Sequence, residues 1–143
     1  MRSPSVVAVV DTNVLISGLI GKFGAPATIL NALAERRFSL AISEPLLDEL
    51  EIVTLRPEVN RRFNPVQLVE LWRLIREGAN TVVPVSRVVI ADDPVDNALF
   101  TTALAARAAC IVTGDQRVLD IGIFEGVRVI SLREFLTWLA AFR

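Results

Sequence analysis

The run Val6-Val7-Ala8-Val9-Val10 ends on Asp11. Five apolar residues without alternation, four of them β-branched, describe a strand buried on both faces. Similar short apolar runs recur at Phe38–Ile42, Cys110–Thr113 and Val127–Ile130. Helical patterns lie between them. They cover Val14–Ile20, Ala25–Arg36, Ser43 to about Leu55, Asn64 to Glu77, Asp93 to about Ala108 and Gln116–Ile121, with a last helix after Ser131. Asn64-Pro65-Val66-Gln67 and Ser131-Leu132-Arg133-Glu134 carry capping-box residues. Thr81–Val85 and Arg87–Ile90 are extended candidates around Pro84. Such alternation predicts an α/β fold, a three-layer α/β/α arrangement with a mostly parallel central sheet. Residues 57–80 are expected to form a helical arm on one edge. A length of 143 residues fits one domain over 1–143.

Composition narrows the chemistry. Hydrophobic residues make up 52% and charged residues 22%, which excludes intrinsic disorder. Net charge is −1, so no global positive field marks a nucleic-acid binder. All basic residues except Lys22 are Arg, so phosphate contacts fall to local guanidinium groups. Cys110 is the single cysteine, which excludes an internal disulfide framework and fits a reducing, cytoplasmic setting. No secretory signal and no run of about 18 apolar residues is present, so no membrane association is expected. The sequence contains no His. That removes Ser-His and Cys-His triads and leaves carboxylates, hydroxyls, Arg, Lys22 or a metal to do any chemistry.

The acids are placed suggestively. Asp11 follows the first strand, Asp92, Asp93 and Asp96 follow Val88–Ile90, and Asp115 follows Cys110–Thr113. Strand C-termini of a parallel sheet share one side, where ligands bind. On the helix from Ser43, Glu49 borders the apolar stripe of Leu46, Leu50 and Val53. On the helix from Asp93, Asp96 lies in line with Leu99 and Ala103. A carboxylate on a buried face is costly unless paired or metal-bound. Each acid also has an ordinary reading: Asp93 as an N-cap, Asp96 as a first-turn acid, Asp11 as a cap, Asp115 as a turn residue and Glu49 as an ion-pair partner. Taken together, four converging acids repel unless a cation sits among them.

Val9-Val10-Asp11-Thr12-Asn13-Val14-Leu15 resembles the opening motif of PIN domains. Ser43 to Leu50 resembles their second acidic motif, Asp93-Pro94-Val95-Asp96-Asn97 the third and Ile111-Val112-Thr113-Gly114-Asp115 the last. The set occurs in the family's order and spans nearly the whole chain. It is most similar to toxin components of prokaryotic toxin–antitoxin pairs, ribonucleases of the virulence-associated type. The resemblance implies Mg²⁺ or Mn²⁺ bound by Asp11, Glu49, Asp96 and Asp115 as metal and catalytic acids, with Asn13 and Thr113 orienting the site. It also implies a cognate antitoxin. One departure is that the last motif continues as Gln116-Arg117, where the family often has a further acid.

Carboxylate oxygens suit hard divalent ions, and a metal that acidifies water supplies the base that His would otherwise provide. The expected activity is therefore hydrolysis of RNA by metal-activated water. Candidate RNA contacts are Arg36-Arg37, Arg61-Arg62, Arg73 and Arg76, all of which could equally be solvated helix faces. Trp72 and Trp138 read as core or interface before base-stacking platforms. The alternative function is a non-catalytic PIN-like module that binds RNA or protein. A phospho-receiver domain also gathers acids at strand ends, but it needs a Lys after a late strand, and the only Lys is Lys22. The apolar fraction and the Phe135–Phe142 helix suggest a homodimer.

Overall fold

The computed structural model describes residues 6–85 and 89–141. β1 (Val7–Val10) is buried at Ala8, Val9 and Val10, as an uninterrupted apolar run requires. It lies inside a sheet with β2 (Ser39–Ile42), β3 (Ala79–Thr81), β4 (Cys110–Val112), β5 (Ile123–Phe124) and β6 (Val127–Ile130). The strand order is β3-β2-β1-β4-β6-β5. Every pairing is parallel except β5 with β6. Helices flank this sheet in an α/β/α arrangement.

α1 (Thr12–Ile20) and α2 (Ala25–Ala34) follow β1 and bend by 96° at the intervening loop. α1 begins at Thr12, two residues before the expected Val14, because Asp11 caps it: Oδ1 accepts from the Asn13 amide at 3.1 Å. Gly18 permits the close approach of α2, since a Cβ there would meet the Pro26 carbonyl oxygen at 2.6 Å. α3 (Glu44–Leu55) buries Leu46, Leu50 and Val53 and packs on α1 and on α6 (Pro94–Ala106). The buried Ser43 and Thr102 hydroxyls, 2.7 Å apart, tie α3 to α6. α6 lies across β1, β2, β4 and β6. α7 (Gln116–Leu119) is a single turn, and α8 (Leu132–Ala140) turns Phe135 and Leu139 inward. Phe38 meets Phe135 edge to face at 5.0 Å. Among the described residues no single helix is long and apolar enough to cross a membrane.

The helical segment over 57–80 comprises α4 (Pro57–Asn60) and α5 (Pro65–Gly78). It leads to the edge strand β3 and lies against the body of the fold. Leu71 and Ile75 are buried, and the Gln67 side chain donates to the Leu19 carbonyl at 3.2 Å. The capping box of Asn64 with Gln67 forms as read. Trp72 and Trp138 pack against the core, half-buried.

Several boundaries differ from the sequence reading. Pairing on β3 covers Ala79–Thr81, where Thr81–Val85 was expected. α5 hands over to the strand without a loop, and Pro84 has no N–H for a ladder. The expected extended run Arg87–Ile90 falls partly on 86–88, outside the described residues, and 89–90 form no strand. Among the described residues, then, no sheet strand directly precedes Asp92, Asp93 and Asp96. The β5–β6 hairpin was not anticipated. Its two-residue turn places Glu125 and Gly126 at φ 49° and 86°, the geometry of a type I′ turn. The C-terminal helix starts at Leu132, directly after the Ser131 cap as read, and Phe142 lies outside the described residues.

Candidate active site

β1 and β4 are the strands at which the order turns, with β2 on one side and β6 on the other. The crevice beyond their C-terminal ends is the ligand position of an open α/β sheet. The Asp11 amide donates to the Val112 carbonyl at 2.9 Å, so the strand ends are pinned side by side. The sequence places Asp11 directly after β1, and Thr113 and Asp115 after β4.

Asp11 is only 7% exposed. Besides the Asn13 amide, its carboxylate accepts from the Thr113 hydroxyl, Oγ1 to Oδ2 at 2.7 Å. The same Oγ1 accepts from the Asp115 amide at 3.0 Å. One buried hydroxyl thus couples Asp11 to the backbone that carries Asp115. Asp115 caps α7, with Oδ1 accepting from the Arg117 amide at 2.9 Å. Asn13 contributes its amide to this site and sits exposed in the cleft.

Asp96 arrives from the other direction, on the first turn of α6 and in line with buried Leu99 and Ala103. Asp93 is the N-cap of that helix, accepting from the Val95 amide at 2.8 Å and the Asp96 amide at 3.3 Å. Asn97 accepts from the Ile90 amide at 2.7 Å and so fastens the incoming chain to α6. Burial pushes the Asp96 carboxyl above its ordinary value, and the negative charges of Asp93, Asp115 and Asp11 add to that. Arg117 acts in the opposite sense. Asp115 is shifted the other way. Hydrogen bonds from the Arg117 side chain and backbone hold it below the usual carboxylate range.

Asp11, Asp96 and Asp115 therefore share one electrostatic neighbourhood. Glu49 is not drawn into it. It stands half-buried on α3, on the border of the apolar face as expected, and among the described residues no hydrogen bond or ion pair reaches its side chain. A cleft of about 400 Å³ opens beside Asp11 and Asp115, lined also by Asn13, Val14, Ser17, Pro26, Gly114 and Leu132. Ser17 and Arg117 escaped the sequence reading of the site. Ser17 gave no signal beyond lying one turn after Asn13 on the same helix.

A family model described as PIN domain matches residues 7–117. The chain belongs to the PIN-domain family. Its PIN motifs thus fall where the family model lies, and PIN domains are generally nucleases that use divalent metals. An uncharacterized protein of Methanocaldococcus jannaschii is 25% identical over 122 residues, covering 85% of this chain and 78% of that protein. A domain of a functionally unknown protein from the same organism superposes with a TM-score of 0.57 at 18% identity, over 89% of this chain and 91% of that one. VapBC2 from Rickettsia felis, solved bound to a DNA fragment from its promoter, gives a TM-score of 0.55 at 15% identity, over 87% and 98% of the two chains. Both structures share the fold of this PIN domain.

The donor set of the PIN domain fits a hard divalent ion: carboxylate oxygens, one of them on a buried and doubly hydrogen-bonded group, with mutual repulsion that a cation relieves. Among the described residues no three acidic or cysteine side chains already close on one coordination point. Arg117 occupies the space between two of the acids. Its Nη2 lies 3.1 Å from Asp115 Oδ2 and 3.7 Å from Asp96 Oδ2. Cys110 has no part in this chemistry: it is buried in β4, and burial pushes its thiol up to about 12.

Proposed function

We propose that residues 1–143 form one PIN domain that is a divalent-metal-dependent endoribonuclease, the toxin of a toxin–antitoxin pair. The observation that carries this reading is the Asp11–Thr113–Asp115 linkage at the sheet's turning point, with Asp96 facing it. Asp11, Asp96 and Asp115 are the acids proposed to hold Mg²⁺ or Mn²⁺, with Glu49 completing the set or orienting water from α3. Bound there, the ion would supply ionised water near neutral pH and offset charge on the phosphate. Thr113 and the Asn13 amide hold the Asp11 carboxylate in place. Asn13, Ser17 and Gly114 line the cleft beside Asp11 and Asp115, which is the proposed seat of the RNA backbone. Arg36, Arg61, Arg62 and Arg76 are exposed and available to phosphates, Arg37 is half-buried, and Arg73 is paired with Glu70.

The test is incubation of clean, partner-free protein with an RNA panel in Mg²⁺, Mn²⁺ or EDTA. Cleavage that EDTA abolishes is expected. It should fall at least about 100-fold in Asp11→Asn and Asp96→Asn, as loss of a group essential to transition-state stabilisation demands. A clean protein inert in both metals would sink the nuclease reading. The pairing of Arg117 with two acids favours the alternative, a PIN module that binds RNA or protein without cutting. RNA retention without cleavage in the same assay would decide for it. A homodimer and an antitoxin partner in the cytoplasm complete the proposal. Ile52 and Leu55 on α3 and Val66 and Val69 on α5 expose apolar surface that either could cover. Light scattering that returns a strict monomer at micromolar concentration would remove the homodimer.

A further inference from the structure

We propose that Arg117 is the resident counter-ion of this site: its guanidinium holds Asp96 and Asp115 together and must leave them when a divalent ion binds, so it sets the site's metal affinity. This rests on the metal-dependent reading above. The two acids reach the site from separate elements, Asp96 from the first turn of α6 and Asp115 from the cap of α7. A single guanidinium nitrogen lies 3.1 Å from one and 3.7 Å from the other. No other ion pair among the described residues reaches either acid. Asp93 adds its charge to that of Asp115 and Asp96, so three carboxylates act on this guanidinium, and Asp11 adds negative charge at Asp96.

Two features make the pairing exchangeable. The Arg117 side chain is 76% exposed, so the acids hold it and packing does not. With the guanidinium open to solvent, its hold on the acids is screened, although the Asp96 side chain itself is only 16% exposed. A divalent ion carries twice the charge and is preferred by carboxylate oxygens. The cap does not depend on the side chain either, because Asp115 Oδ1 accepts from the Arg117 backbone amide at 2.9 Å. Truncating Arg117 therefore removes the cation and leaves the turn that positions Asp115.

The experiment uses the EDTA-stripped 143-residue chain without RNA. Mn²⁺ binding is read from the loss of the free-ion electron paramagnetic resonance signal in the parent, Arg117→Ala and Arg117→Lys. Arg117→Ala should bind Mn²⁺ about tenfold more tightly, since one competing unit charge a few ångströms from the ion is gone. Arg117→Lys, which keeps the charge, should stay near the parent. A second reading follows the Arg117 side-chain Nε–H resonance, which should move toward that of a solvated Arg as Mg²⁺ saturates the parent. Equal or weaker binding by Arg117→Ala, or a resonance that saturating Mg²⁺ leaves in place, overturns the proposal and spares the metal-dependent reading. If neither parent nor variants bind Mn²⁺, the metal-dependent reading falls and this inference falls with it.

Discussion

The Thr113 hydroxyl donates to Asp11 and accepts from the Asp115 amide, and it is fully buried. Thr113→Val keeps the shape and removes both bonds. A buried carboxylate then loses one of its two partners, which should cost about 1–3 kcal/mol in urea denaturation. Thr113→Ser should recover most of it. An unchanged Thr113→Val would show that the hydroxyl does not organise the site. Asp96 makes a prediction of opposite sign. Its folded carboxyl is raised, so its ionisation works against folding. That cost is absent below the ordinary carboxylate value of about 4, grows as pH rises from there to the folded value and is complete above it. Metal-free Asp96→Asn should therefore be more stable than the parent at pH 7, with the difference vanishing near pH 3. Equal stability of the two at both pH values contradicts the assignment. Asp11, Asp96 and Asp115 were visible in the sequence because each stands at a strand end or on an apolar stripe, whereas Thr113 was visible only through the resemblance to PIN-domain motifs. Arg117 was visible only as a mismatch to a motif. Nothing in a spacing says which way a long exposed side chain turns.

α6 carries both the core and the site, and its start sets where Asp96 points. Asp93 fixes that start by accepting from two amides of the first turn. Asp93→Ala should cost about 1 kcal/mol of stability by chemical denaturation, the usual loss for a side-chain cap. Asp93→Ser should retain the cap while removing the charge beside Asp96, so the two variants separate capping from electrostatics. If Asp93→Ser is as unstable as Asp93→Ala, the charge and not the cap is what matters. The helices were legible here because Asp-Pro, Asn-Pro and Ser-x-x-Glu starts are local signals. β5 was not, because two residues show no periodicity. Its turn also uses Glu125 at positive φ, where Asn or Gly would have announced it. The stretch before Asp93 reads as a strand by composition, yet Asn97 holds Ile90 and Ala91 to α6 instead of to the sheet.

Parallel strands and alternating helices were evident from apolar runs, but the order β3-β2-β1-β4-β6-β5 was not. Order depends on which crossovers go left or right of β1, and no short motif encodes that choice. The order matters because it puts β1 and β4 side by side, which brings Asp11 against Thr113, 102 positions apart in the chain. An ion held across that junction binds the folded chain alone, since unfolding separates its ligands. Folding and metal binding are then linked. Mn²⁺ at about 100 times its dissociation constant should add about 2.7 kcal/mol, or about 10 °C in Tm for a chain of this size. Calorimetry with and without Mn²⁺ measures this directly and needs no RNA. Asp11→Asn should lose most of the shift, because it removes charge from the one acid that both strand ends hold. Asp48→Asn, an exposed acid elsewhere on α3, should keep it. A shift of equal size in both variants would mean that Mn²⁺ acts through the general surface charge, and that the junction of β1 and β4 is not where it binds.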